Sequence, residues 1–188
     1  MLKIVSHKEN TLSIILDPSN TALLVIDVQN GLFSRPTPIY KAEELLENIN
    51  SLSNQFAQTG GPVFFIQHSN QKLLQRDSEN WQFHPDLDVR ENDMVVHKTH
   101  GNAFEGTVLK DGLDARGIKN IVVTGLVING CVKATSIGGH DLGYRVVLVE
   151  DGHSTYINTA ARLIKEWNRT LGQEIADVHP AAEITLER

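Results

Sequence analysis

Cysteine is nearly absent from this chain of 188 residues: the single one, Cys131, excludes an internal disulfide and gives no sign of an oxidising compartment. No stretch reaches the ~18 consecutive apolar residues that a membrane span requires. The first eight residues alternate charge with apolar side chains and form no uninterrupted apolar core of the kind an export signal needs, so the cytoplasm is the expected location. Positive charge is in deficit. Seventeen Lys and Arg against 23 Asp and Glu give a formal net charge of −6, which excludes general affinity for nucleic acid or an anionic membrane. Internal repeats, low-complexity tracts, a dinucleotide glycine fingerprint and the His-Glu-x-x-His zinc pattern are all missing. A small-molecule partner is the expectation that survives.

What is there is a globular composition: 40% hydrophobic and 21% charged, enough to bury a core without disulfide or metal, in one domain spanning 1–188. Aromatics make up only 6%, so the core must be built from aliphatic side chains. Short β-branched runs recur at Ala22 to Ile26, Val63 to Gln67, Met94 to His97, Ile121 to Thr124 and Val146 to Val149. Each is apolar on successive residues, as strands are when helices cover both faces of a parallel sheet. Between the first two, Leu45, Ile49, Leu52 and Phe56 lay one apolar stripe along a helix over 41–59, which Gly60-Gly61-Pro62 stops. A second helix is expected to open near Cys131. A last one runs from about Thr155 with Ile157, Ala161, Ile164 and Leu171 inward. Strand and helix alternate throughout, which predicts a doubly wound α/β fold, a mostly parallel sheet with functional groups at the carboxyl ends of its strands. The polar segment 70–93, carrying Trp81, Phe83 and His84, fits neither period and reads as a functional or partner-contacting excursion.

Three ionisable residues fall where strands end: Asp27 after Ala-Leu-Leu-Val-Ile, Lys98 after Met-Val-Val-His, and Cys131 after Ile-Val-Val-Thr-Gly-Leu-Val-Ile-Asn-Gly. Singly, each has a plain structural reading: a helix cap, a solvated lysine, a small core residue. Together they suit one chemistry. The nucleophile of a cysteine enzyme is the thiolate, whereas a free thiol is mostly protonated at neutral pH. Asp27 can take the proton and Lys98 can balance the charge. The positive end of a helix opening at Cys131, added to Lys98, predicts a thiol pKa below its ordinary value, with Asp27 opposing the shift.

Four stretches in order resemble the isochorismatase-like cysteine hydrolases: Leu23 to Phe33, Lys98 to Leu109, Val123 to Thr135 and Gly143 to Gly152. The resemblance implies an Asp27-Lys98-Cys131 triad on an α/β sandwich. It also implies a cis peptide bond between Leu126 and Val127, and an oxyanion hole made by the backbone N–H groups of Val127 and Cys131. It further implies a homodimer or homotetramer, with the 70–93 excursion expected to meet the neighbour. Nicotinamidases of that family hold a metal through an Asp-x-His pair after the second strand; the matching stretch here is Gln67-His68-Ser69-Asn70. No metal or other cofactor is therefore expected, and the histidines read as solvated or backbone-bonded.

The expected reaction is hydrolysis of an amide or carbamoyl C–N bond of a small molecule through a thioester, with Gln29, Phe33, Trp81 and Phe104 as candidate substrate-contacting residues. Three alternatives stand beside it: an isochorismatase-type hydrolase with no covalent intermediate, a single-cysteine redox sensor, and a non-catalytic binding module on the same fold.

Overall fold

The five apolar runs lie side by side in one all-parallel sheet, which a sixth strand near the C-terminus completes. The computed structural model describes residues 13–187, so the N-terminal stretch read for an export signal lies outside the described residues. In chain order the elements are β1 (Ile14–Leu16), β2 (Thr21–Ile26), α1 (Asn30–Phe33), α2 (Ala42–Thr59), β3 (Val63–His68), β4 (Met94–Lys98) and α3 (Leu109–Asp114). There follow β5 (Asn120–Leu126), α4 (Lys133–Asp141), β6 (Arg145–Ser154), α5 (Ala160–Glu174), β7 (Ala176–His179) and β8 (Ile184–Leu186). The large sheet has the order β4-β3-β2-β5-β6-β7, and β1 pairs with β8 in a separate parallel ribbon. No helix of the described residues is long and apolar enough to cross a membrane.

Alternate residues of each central strand feed two cores. Leu23, Val25, Phe65, Val122 and Val147 face the layer containing α2, whose Leu45, Ile49, Leu52 and Phe56 are all buried. Leu24, Ile26, Phe64, Val123 and Leu148 face the layer containing α3, α4 and α5. Burial on both faces is why these runs show no polar alternation. Helix α2 ends where Gly60 takes a φ of 77°, a left-handed conformation that glycine adopts without steric penalty.

The chain winds outward from β2 to β3 and β4, then returns to add β5, β6 and β7 on the other side. The carboxyl ends of β2 and β5 therefore flank the switch point, the place where a doubly wound sheet opens a crevice. Gly125 makes that approach possible. With φ at 110°, a Cβ there would stand 2.1 Å from the Ile26 carbonyl oxygen.

The expectations for β4 and for α5 need correction. Strand β4 is an edge, buried on one face only: Val96 and Lys98 turn inward while Val95 and His97 face out. Helix α4 opens where expected: its helical geometry runs back from Lys133 through Val132 to Cys131, directly after the non-helical Gly130. Helix α5 begins at Ala160, with Ala160, Asn168 and Leu171 buried, Ile164 half-buried and Ala161 exposed. Ile157 precedes the helix altogether. The segment 70–93 folds back onto its own chain, seating Leu74, Trp81 and Leu87 in the first core.

Candidate active site

Asp27 is the first residue beyond β2 and turns the chain with φ at 53°, left-handed geometry that aspartate tolerates better than most residues. Its N–H is held by the Ile66 carbonyl at 2.9 Å, so the side chain is aimed by the end of β3. The last residue of β4, Lys98, reaches inward under β3 and donates to Asp27 Oδ2 at 2.8 Å; both side chains are almost wholly buried. The ammonium also donates to the His100 carbonyl at 3.1 Å and meets His68 Nδ1 at 3.3 Å. An ammonium has three N–H groups and each has a partner, so Lys98 is locked in place. His68 must then be the acceptor, with its proton on Nε2. Burial and the adjacent ammonium hold the His68 pKa below its ordinary value, which keeps the ring neutral.

Cys131 reaches this pair from the β5 side. The Leu126–Val127 peptide bond is cis, as expected from the resemblance. The Val127 carbonyl then accepts from the N–H groups of Gly130 at 2.9 Å and Val132 at 3.3 Å, closing the turn that carries the cysteine. Asp27 Oδ1 is buried and accepts no hydrogen bond of ordinary geometry, and the Cys131 thiol is the donor beside it.

The electrostatics overturn the expected low thiol pKa. Burial, and then the Asp27 charge, push the Cys131 thiol up to about 12, and Lys98 offsets only part of this. Burial also raises the Asp27 carboxyl, against the pull of Lys98. A protonated thiol thus stands beside a buried carboxyl group that Lys98 pulls toward its charged form against the cost of burial.

The remaining candidates sit around this core in different ways. Gln29 is fully buried and spends its whole amide on backbone: Nε2 donates to the carbonyls of His68 and Trp81, and Oε1 accepts from the His68 N–H at 2.9 Å. It works as a clamp between the end of β3 and the excursion. Trp81 is buried, donates from Nε1 to Ser69 Oγ at 2.8 Å and stacks on His97. Phe33 rests against His84 with ring centroids 4.2 Å apart, and Phe104 stacks on Tyr144 in the other layer. Among the described residues no three His, Cys, Asp or Glu cluster as a metal site.

Two histidines also meet a buried polar side chain. One is His68, whose placement follows from register: it pairs with Lys98 across β3 and β4, so a strand alignment alone would have brought the two together. The other is His153, buried in β6. Asn168 donates its amide to the Glu150 carbonyl, so Asn168 Oδ1 accepts from His153 Nε2 at 2.7 Å. That leaves Nδ1 buried without a partner, and burial lowers the His153 pKa to about 4.

Known proteins share this fold and much of this sequence. A family model for the isochorismatase domain matches residues 21–171. The chain is 31% identical over 163 residues to the streptothricin hydrolase of Streptomyces noursei, covering 86% of this chain and 55% of that protein, about half the relative's length. It is 28% identical over 174 residues to the ureidoacrylate amidohydrolase RutB of Acinetobacter baylyi, covering 72% of this chain and 71% of the relative. Among solved structures, an isochorismatase family protein from Burkholderia thailandensis aligns with a TM-score of 0.80 at 29% identity, covering 92% of this chain and 96% of the other.

Proposed function

The chain belongs to the isochorismatase family, and on that premise we propose that it is a cysteine-dependent hydrolase cleaving an amide or carbamoyl C–N bond of a small molecule. The observation that carries the reading is the buried Lys98–Asp27 ion pair at 2.8 Å with the Cys131 thiol beside its carboxylate. The names of the two relatives, a streptothricin hydrolase and a ureidoacrylate amidohydrolase, support the same reaction class.

A thiol this weakly acidic does not attack as a preformed thiolate. The proton passes from sulfur to Asp27 while sulfur bonds to the substrate carbonyl carbon, and the carbonyl electron pair moves onto oxygen. The backbone N–H groups of Val127 and Cys131 are the proposed donors to that oxyanion; losing one such donor costs an acyl-transfer enzyme ~10²–10³ in rate. Protonated Asp27 then gives its proton to the leaving nitrogen as the C–N bond breaks, which leaves a thioester on Cys131. Water, deprotonated by Asp27, attacks the thioester, the C–S bond breaks, and the thiol recovers its proton. Lys98, ion-paired with Asp27, favours the carboxylate form that takes the proton, against the cost of its burial. Protonation of the resting sulfur disfavours the redox-sensor alternative, since peroxide reacts with thiolate.

The test is ammonia release across small amides, ureides and carbamoyl acids, with intact-mass measurement after rapid quenching. Wild type should turn over at least one class and carry an acyl adduct on Cys131, and Cys131→Ala should be folded and inactive. Substantial activity in the alanine variant would remove the covalent mechanism and favour direct attack by water.

A further inference from the structure

The loop joining α1 to α2 carries a guanidinium with unfinished bonding. Arg35 lies over the Tyr156 ring, its central carbon 4.2 Å from the ring centroid. The side chain is half-buried, and its Nε is wholly buried with no hydrogen-bond acceptor. Among the described residues no acceptor takes the Nη N–H groups either, and on a half-buried side chain these remain within reach of a ligand. A guanidinium that stacks through its face leaves its in-plane N–H groups for a planar acceptor, and a carboxylate takes two of them in parallel.

The loop that carries Arg35 is linked by hydrogen bonds to the turn that carries Cys131. The Arg35 loop is fastened by Tyr40, whose N–H donates to the Thr155 carbonyl at 3.0 Å. Thr155 in turn donates from Oγ1 to Asn129 Oδ1 at 3.0 Å, two residues before Cys131. Tyr156, the residue under the guanidinium, packs against the same apolar cluster as Val127. Three segments at the carboxyl edge of the sheet are thus stitched together: the Arg35 loop, the loop after β6 and the turn bearing the thiol. The other cations nearby are engaged. Lys98 has all its N–H groups placed, and Lys133 sits over Trp167 at 4.6 Å.

We infer that Arg35 receives a carboxylate of the substrate, so that the preferred class is an amide or ureide whose far end is a carboxylic acid. This rests on the hydrolase reading of Cys131 for its reaction, though the binding itself does not. Calorimetric titration of Cys131→Ala with 3-ureidopropionate and with succinamate, each against its own methyl ester, measures the carboxylate preference without turnover. The acids should bind roughly 10- to 100-fold more tightly than the esters, less so as salt rises. Adding Arg35→Gln should erase that preference, and Arg35→Lys, which keeps charge and loses the fork, should fall between. Thermal melts of each variant separate lost recognition from lost folding. Equal affinity for acid and ester, a preference that persists in Arg35→Gln, or no binding of either acid would overturn the inference. Activity surviving in Cys131→Ala would instead strike the covalent mechanism and leave the carboxylate result standing.

Discussion

Alkylation of Cys131 as a function of pH tests the electrostatic account directly. With the thiol at about 12, the thiolate fraction at pH 7 is about 10⁻⁵, against ~3% for an unstructured cysteine of pKa ~8.5. A more basic thiolate is intrinsically more nucleophilic, and the usual Brønsted slope recovers ~1.5 of those ~3.5 decades. Iodoacetamide should therefore modify the folded protein about 100-fold more slowly than the same chain in urea, with the rate still climbing at pH 9 to 10. Two variants separate the contributions. Lys98→Met removes the one charge that lowers the thiol pKa and should slow alkylation further. Asp27→Asn removes the charge that raises it, so alkylation at pH 7 should accelerate while turnover collapses. Quenched time courses read by intact mass give all three profiles. A wild-type profile that levels off below pH 8, or an Asp27→Asn variant that alkylates more slowly than wild type, would refute the burial-dominated account and restore a preformed thiolate.

Three further outcomes follow from groups outside the reaction itself. Burial keeps His153 neutral in the folded chain down to about pH 4, while the unfolded chain protonates near 6.5. Stability should therefore be lost as pH falls through that window, by at most about 3 kcal/mol, and urea melts of His153→Gln should show a shallower acid slope. Gln29→Leu strands the His68 N–H and takes a donor from the His68 carbonyl, while the Trp81 carbonyl keeps Gln67, which should cost about 1–3 kcal/mol in chemical denaturation. Gly125→Ala places a methyl 2.1 Å from the Ile26 carbonyl oxygen and should yield insoluble or strongly destabilised protein; a native melting temperature would contradict the packing of β5 on β2.

Much of this arrangement is legible in the amino-acid sequence. The strands announced themselves because both faces are buried, and α2 did so because one stripe of Leu45, Ile49, Leu52 and Phe56 meets a single layer. Asp27 and Lys98 were conspicuous as charges closing apolar runs. The misreadings share a physical cause: each depended on what lies across space from a residue. Met94 to Lys98 is apolar enough for a central strand, and only its place at the sheet edge leaves Val95 in solvent. Asn168 replaces an apolar residue on the inner face of α5 because buried His153 needs an acceptor. The thiol pKa turned on the depth of Cys131 and on its distance from Asp27, neither of which its neighbours in sequence reveal.

The chain has two tryptophans, Trp81 and Trp167, and they flank the reaction centre. Trp167 lies beneath the ammonium of Lys133, two residues past the thiol, and a nearby cation shifts indole emission. Trp81 is buried within the excursion, stacked on His97 and bonded to Ser69. Acylation that displaces the turn at 128–132 would lift Lys133 and change one fluorophore while the other holds steady. Trp167→Phe and Trp81→Phe separate the two signals, so stopped-flow fluorescence can follow a single turnover on an unlabelled, colourless substrate.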